Sequence, residues 1–264
     1  RTTGFGRGLE AMRPLAQAFF GLAVAATTLW SFLVPDAIGF QRPELARIFF
    51  WHFPCPILAT GLLALAAYFS LRILRSTGNQ ERAMWDVRAV AAQELAFMFV
   101  LLTLATGILF SKVQWGAWWQ NDPRQTSFLL VSLVYLADFV LRGALHDPER
   151  RIRQSAAYKL MAFGPAMFLT YVFPRLPQIA QTSFHPSTSI MQGQIHGAYA
   201  IIVVLVLVTT ATLSAWVYRL RVRAELSLLA DEYLVPLRRD SADPLVVRPV
   251  RLPSADRPPS AEKL

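Results

Sequence analysis

The chain has 264 residues, of which 54% are hydrophobic and 16% charged, and a mean hydropathy of +0.37. So little charge cannot cover the surface of a soluble domain of this size, which places the chain among membrane proteins. A net charge of +9 raises the question of nucleic acid, but the Arg residues sit mostly between apolar blocks and in the tail. That is a pattern of membrane topology, and no nucleic-acid partner is expected.

The apolar blocks are long enough to cross a bilayer, which takes about 20 helical residues. The first runs from Leu15 to Val34 and ends at Pro35. It is too long for the apolar core of a signal peptide and lacks a small-residue cleavage site, so it reads as a retained span. The second runs from Phe53 to Leu71, the third from Ala89 to Phe110, and the fourth, a short one, from Ser127 to Leu141. Tyr158 to Phe173 forms the fifth, with Gly164-Pro165 marking a kink. Gly197 to Val217 is the sixth and plainest. Only helix satisfies the peptide groups of such segments in lipid, so the expected fold is an all-α bundle of six transmembrane helices.

Lys and Arg counts in the short loops set the orientation. Fifteen cations, including Arg72, Arg75, Arg142, Arg150 and Lys159, fall on one side, against Arg42, Arg47, Lys112, Arg124 and Arg175 on the other. Both termini are therefore expected to be cytoplasmic, and residues 35–52, 111–126 and 174–196 to form the outer loops. Residues 1–223 make the membrane domain. Residues 224–264 continue the last helix into the cytoplasm and then, from Pro236, turn into a Pro- and Arg-rich tail expected to be disordered.

Three of the four histidines, His52, His185 and His196, fall on the outer side. One such His alone is most simply an interfacial residue. His52 precedes Pro54 and Pro56, which are tolerated in a first helical turn, so it sits at the outer mouth of the second span. His185 lies in the last outer loop. Two imidazoles from separate loops suit the axial positions of a haem iron, whereas a bare metal wants a further ligand, for which His196 is available.

The middle outer loop carries Trp115, Trp118 and Trp119. An aromatic belt explains Trp at helix ends, but belts spread over many ends. On a short helix these three would share one face, an apolar platform of the kind a porphyrin needs. Arg124 is the nearby cation for a propionate.

The stretch Trp115-Gly116-Ala117-Trp118-Trp119-Gln120-Asn121-Asp122-Pro123-Arg124-Gln125-Thr126 resembles the tryptophan-rich WWD signature of a haem-handling superfamily. His52 with Pro54, and His185 with Ser187-Thr188, resemble the two histidines that flank it. Six spans and a modest length resemble the CcmC family in particular. The resemblance implies that haem b is held as cargo on the outer face of a bacterial inner membrane. It implies handover to the haem chaperone CcmE, association with the ABC-type complex CcmA with CcmB and with the small membrane protein CcmD, and no catalysis by this chain. His52 and His185 would be the iron ligands and Trp115, Trp118 and Trp119 the floor. Arg124 would meet a propionate, and Asp122 would belong to the site by capping or bonding within the loop.

The chain departs from that pattern at Asn121, where another Trp is usual, at Pro123 and at Gln125, so a smaller or tilted platform is expected. Among polar residues within spans, Asp138 and Arg142 are four apart and read as a helical pair. Gln93 and Glu94 are expected at the inner boundary, and Cys55, the only cysteine, as a packing residue. Three rival readings remain open: a transporter moving haem or another amphiphile through the bundle, a scaffold docking a partner on its Trp loop, and a metalloenzyme using His52, His185 and His196.

Overall fold

The computed structural model describes residues 4–36, 40–185 and 197–242. Helix α1 covers Gly4–Leu33, α2 Phe49–His52, α3 Pro54–Arg75, α4 Asn79–Trp115, α5 Pro123–Ala144, α6 Pro148–Met167, α7 Pro177–Ala180 and α8 Gly197–Ala242, and there is no strand among the described residues. Six segments are long and apolar enough to cross a membrane, as expected: Pro14–Leu33, Pro43–Arg75, Asn79–Trp115, Pro123–Ala144, Pro148–Arg175 and Gly197–Leu229. Most run further than their apolar blocks, because polar residues leave hydrocarbon without leaving the helix. The caps mark where each helix ends.

Those caps are local. Asp122 accepts the Arg124 N–H at 2.8 Å and Pro123 fills the first helical position of α5. Asp147 and Pro148 repeat the arrangement on α6, with an Asp147 to Glu149 N–H bond of 3.0 Å. Helix α4 stops at Gly116, whose φ of 87° places it in the left-handed region that glycine occupies without strain.

Compactness divides the chain into Arg1–Ala224, which holds the bundle, and Glu225–Leu264. In the second unit the backbone is helical to Ala242, past Pro236, and the remainder of the predicted tail lies outside the described residues. Within the bundle, α3 and α4 form the most extensive helix pair. Ala59 and Ala66 on α3 and Ala89, Ala92 and Ala96 on α4 are fully buried, and such small residues let backbones approach where lipid gives no hydrophobic drive. At the other extreme of side-chain size, Phe40, Phe49, Phe50, Phe110 and Tyr199 cluster at one end of the bundle. The Phe50 and Tyr199 rings lie 4.2 Å apart, and the Tyr199 hydroxyl donates to the Ala46 carbonyl at 3.0 Å. Arg47 ties the same end to α1, donating to the Ser31 and Val34 carbonyls at 2.8 and 2.9 Å.

Several expectations about polar residues within spans are corrected. Asp138 does not pair with Arg142. It pairs with Lys159 at 2.9 Å and accepts from Gln93 Nε2 at 2.8 Å and Ser155 Oγ at 2.9 Å. Arg142 instead makes a bidentate pair with Asp86, both contacts 2.9 Å. The i, i+4 spacing allowed an intrahelical pair, but Asp138 faces the bundle interior, where partners from α4 and α6 surround it. Lys159, counted among the loop cations, is thus buried, and the Gln93 side chain is buried between the helices. Glu94 pairs with Arg221 at 3.1 Å. Helix α6 runs through Pro165, where a kink is expected, then widens into a π-helical segment, Phe168–Val172, followed by a 3-10 turn, Phe173–Arg175. Such π segments recur at functional sites.

Candidate functional site

The aromatic end of the bundle encloses a cavity of about 340 Å³, at the small end of the range for ligand pockets. His52 and His185 both line it, although they come from opposite flanks of the tryptophan loop. Phe49, Phe53, Phe110, Phe128 and Trp115 are among the aromatic residues of its wall, and Asp122, Arg124 and Arg175 supply its charges.

His52 ends α2 and is held from α4. Its Nδ1 lies 2.8 Å from the Thr106 hydroxyl oxygen, and that hydroxyl donates its single proton to the Leu102 carbonyl at 2.5 Å. Toward His52 the hydroxyl can therefore only accept, so Nδ1 carries the proton, and in the neutral ring this tautomer leaves Nε2 its lone pair. The ring stacks on Phe110, centroids 6.2 Å apart at 20°. Gly107 completes the seat: a Cβ there would stand 3.2 Å from His52 Cε1, so glycine is what lets the imidazole lie against α4.

His185 is held by a bridge between two loops. Asp122 Oδ2 accepts from the Ser183 hydroxyl at 2.8 Å and from the Phe184 N–H at 2.7 Å. The neighbouring Phe184 ring packs 5.8 Å from Trp115. Asp122 is buried and serves both as the α5 cap and as the anchor of the His185 loop, which extends its expected role within its own loop. His185 Nδ1 is enclosed and without a hydrogen-bond partner among the described residues. Burial, and then the nearby Arg124, His52 and Arg175, push the His185 imidazole well below the usual histidine range. It is thus neutral at neutral pH, with a lone pair to offer.

The three tryptophans do not share a helical face. Only Trp115 belongs to α4 and lines the cavity. Gly116 breaks the helix, and Trp118 and Trp119, 57% and 37% exposed, do not line the cavity. Lys112 lies over Trp118, and Trp119 Nε1 donates to Asn121 Oδ1 at 3.0 Å. The i, i+3, i+4 reading required helix through a glycine that instead ends it.

Cys55 also stays out of the cavity, its thiol donating to the Trp51 carbonyl at 3.0 Å. His196 lies outside the described residues, and among those described no three metal-ligating side chains converge. Thr106, Gly107, Tyr171 and Arg175 were missed as site residues. A Thr-Gly pair within an apolar span was a visible signal, whereas Arg175 was hidden among the topology cations.

A family model described as Heme exporter protein C (CcmC) matches residues 2–232. The chain belongs to that family. A protein named Heme exporter protein C from Paracoccus denitrificans (strain Pd 1222) is 28% identical over 145 residues, 55% of this chain and 58% of that protein. One of the same name from Bradyrhizobium diazoefficiens is 33% identical over 131 residues, 50% of this chain and 48% of the other. A third, from Escherichia coli (strain K12), is 29% identical over 139 residues, 52% and 53% of the two. The chain spans about half the length of the curated relatives it matches.

The positions where this CcmC-family loop departs from the signature have local reasons. Asn121 has a φ of 53°, a left-handed conformation that Asn tolerates far better than bulky residues do. Pro123 occupies the first turn of α5, where no N–H is needed. Gln125 accepts from the Gln120 N–H at 3.0 Å and donates to the Trp118 carbonyl at 3.4 Å, fastening the loop where an apolar residue could not.

Proposed function

We propose that this multi-pass membrane protein binds haem b as cargo in the cavity and presents it for c-type cytochrome maturation. The observation that carries the reading is the convergence of two imidazoles on one aromatic-walled cavity, with His52 Nδ1 engaged by Thr106. His52 and His185 take the two axial positions of the iron, Trp115 and the Phe side chains flank the ring, and Arg124 meets a propionate. Trp118 and Trp119, past the end of α4, stand outside the lining of the cavity. The polarity of the loops supports cytoplasmic termini and a site on the periplasmic face of a bacterial inner membrane.

By family kinship, the haem passes to the chaperone CcmE, and CcmA with CcmB and CcmD are the membrane partners. The act is capture, orientation and release, with no covalent chemistry by this chain. His185, carried on a loop anchored by one carboxylate, is the ligand suited to letting go, whereas His52 is seated on α4 by Thr106 and Gly107.

The test is haem content of protein purified from cells, read as pyridine haemochrome per chain, for wild type and for His52→Ala with His185→Ala. The double variant is expected to lose most of its haem and to fail in loading the chaperone. Wild-type content in the double variant would refute the reading.

A further inference from the structure

The cavity has two cations where one was expected. Arg124 stands at the first turn of α5 and is half-buried. Arg175 stands at the end of the fifth span and is exposed. Both line the cavity, and they are close enough for their charges to interact. The carboxylate that shares the cavity, Asp122, directs one oxygen to the Arg124 backbone N–H and the other to Ser183 and Phe184.

Arg175 is held in place by the irregular backbone that precedes it. Pro174 brings no N–H to this turn, and Arg175 Nη1 donates instead to the Tyr171 carbonyl at 2.8 Å and the Thr170 carbonyl at 3.5 Å. The guanidinium also lies 5.6 Å from the centre of the Tyr171 ring. Among the described residues these bonds use Nη1 alone, which leaves Nε and Nη2 as further donors on a residue that lines the cavity.

We infer that Arg124 and Arg175 form a two-point anion site selecting a porphyrin by its paired carboxylates, with Arg175 binding the second one. The inference rests on the haem reading above and adds a substrate criterion to it. The chemistry matches on three counts. The two propionates of haem b leave the same edge of the ring, as the two guanidinium groups share one cavity. Guanidinium meets carboxylate with two parallel N–H donors, which fixes direction as well as charge. An aromatic cavity with cations at its rim orients the ring with its apolar edge inward, so that the carboxylates stay near water.

The experiment compares binding of haem b and of haem b dimethyl ester, whose carboxylates are capped, to detergent-purified protein. Variants are Arg175→Gln, Arg175→Lys and Arg124→Gln. Wild type should prefer the free acid. Arg175→Gln should weaken free-acid binding about fivefold, the scale of an exposed ion pair, while ester affinity stays at the wild-type value, and Arg175→Lys should recover part of the loss. Unchanged ester binding doubles as proof that the variant is folded. Equal losses for both ligands, or no loss for either, would overturn the anion site and leave the haem reading standing. Wild type that bound neither ligand would overturn both.

Discussion

Two regions of this bundle bury polar side chains, and they do so with opposite outcomes. In the middle of α4, α5 and α6, Asp138, Lys159, Ser155 and Gln93 close on one another, with Asp138 and Lys159 0% and 1% exposed. At the aromatic end, His52, His185, Arg124 and Arg175 converge on a cavity. Charges that satisfy each other inside a membrane tie helices together. Groups turned toward a void are arranged for something that comes and goes. In the first region the ionic groups are spent on each other, although Gln93 Oε1 and the Tyr135 hydroxyl beside them have no partner among the described residues.

Breaking the closed pair should have the largest effect. Lys159→Met or Asp138→Asn each strands one member of a buried pair, which costs about 3–5 kcal/mol in such cases. Thermal unfolding in detergent should show a large drop for each single variant and a partial recovery for the double variant, in which neither charge remains. Equal stability for all four proteins would mean that the pair is not what joins α5 to α6.

Changes in the open region should spare the fold and reach the ligand. Thr106→Val removes the acceptor that fixes the His52 tautomer, and outer-shell changes of this kind typically lower metal affinity about 10–100-fold. Thr106→Ser should keep wild-type affinity in a haem titration. Gly107→Ala places a methyl group against His52 Cε1 and should weaken haem binding about tenfold, roughly 1.4 kcal/mol. The smallest effect concerns pH. An ordinary histidine titrates near 6.5, whereas His185 is shifted well below that value. Its neutral form is favoured by the fold, so that contribution to stability is complete above the ordinary value and is lost as pH falls toward the lowered one. In the His52→Ala variant, where His185 is the remaining ligand, haem affinity should stay flat from pH 8 to 6. A midpoint near 6.5 would show that the ring is not shielded.

The two regions also differ in how far sequence reveals them. Six spans were plain because period and length alone define them, and His52 and His185 stood out because imidazole is rare and chemically specific. The inner network was misread because spacing within one helix, Asp138 to Arg142, is visible in sequence, whereas Asp138 to Lys159 depends on how two helices rotate against each other. The shared helical face of the tryptophans failed for a local reason: Gly116 carries a positive φ, and this residue separates Trp115 from Trp118 and Trp119. Arg175 lines the cavity, and counting charges for topology does not reveal it.

The most direct test of the two-imidazole cavity is the ligand field of the bound iron, read by absorption and electron paramagnetic resonance. Wild type should give a low-spin, six-coordinate haem. His52→Ala and His185→Ala should each become high-spin and return to low-spin when free imidazole is added. A low-spin spectrum retained by either single variant without added imidazole would contradict the account.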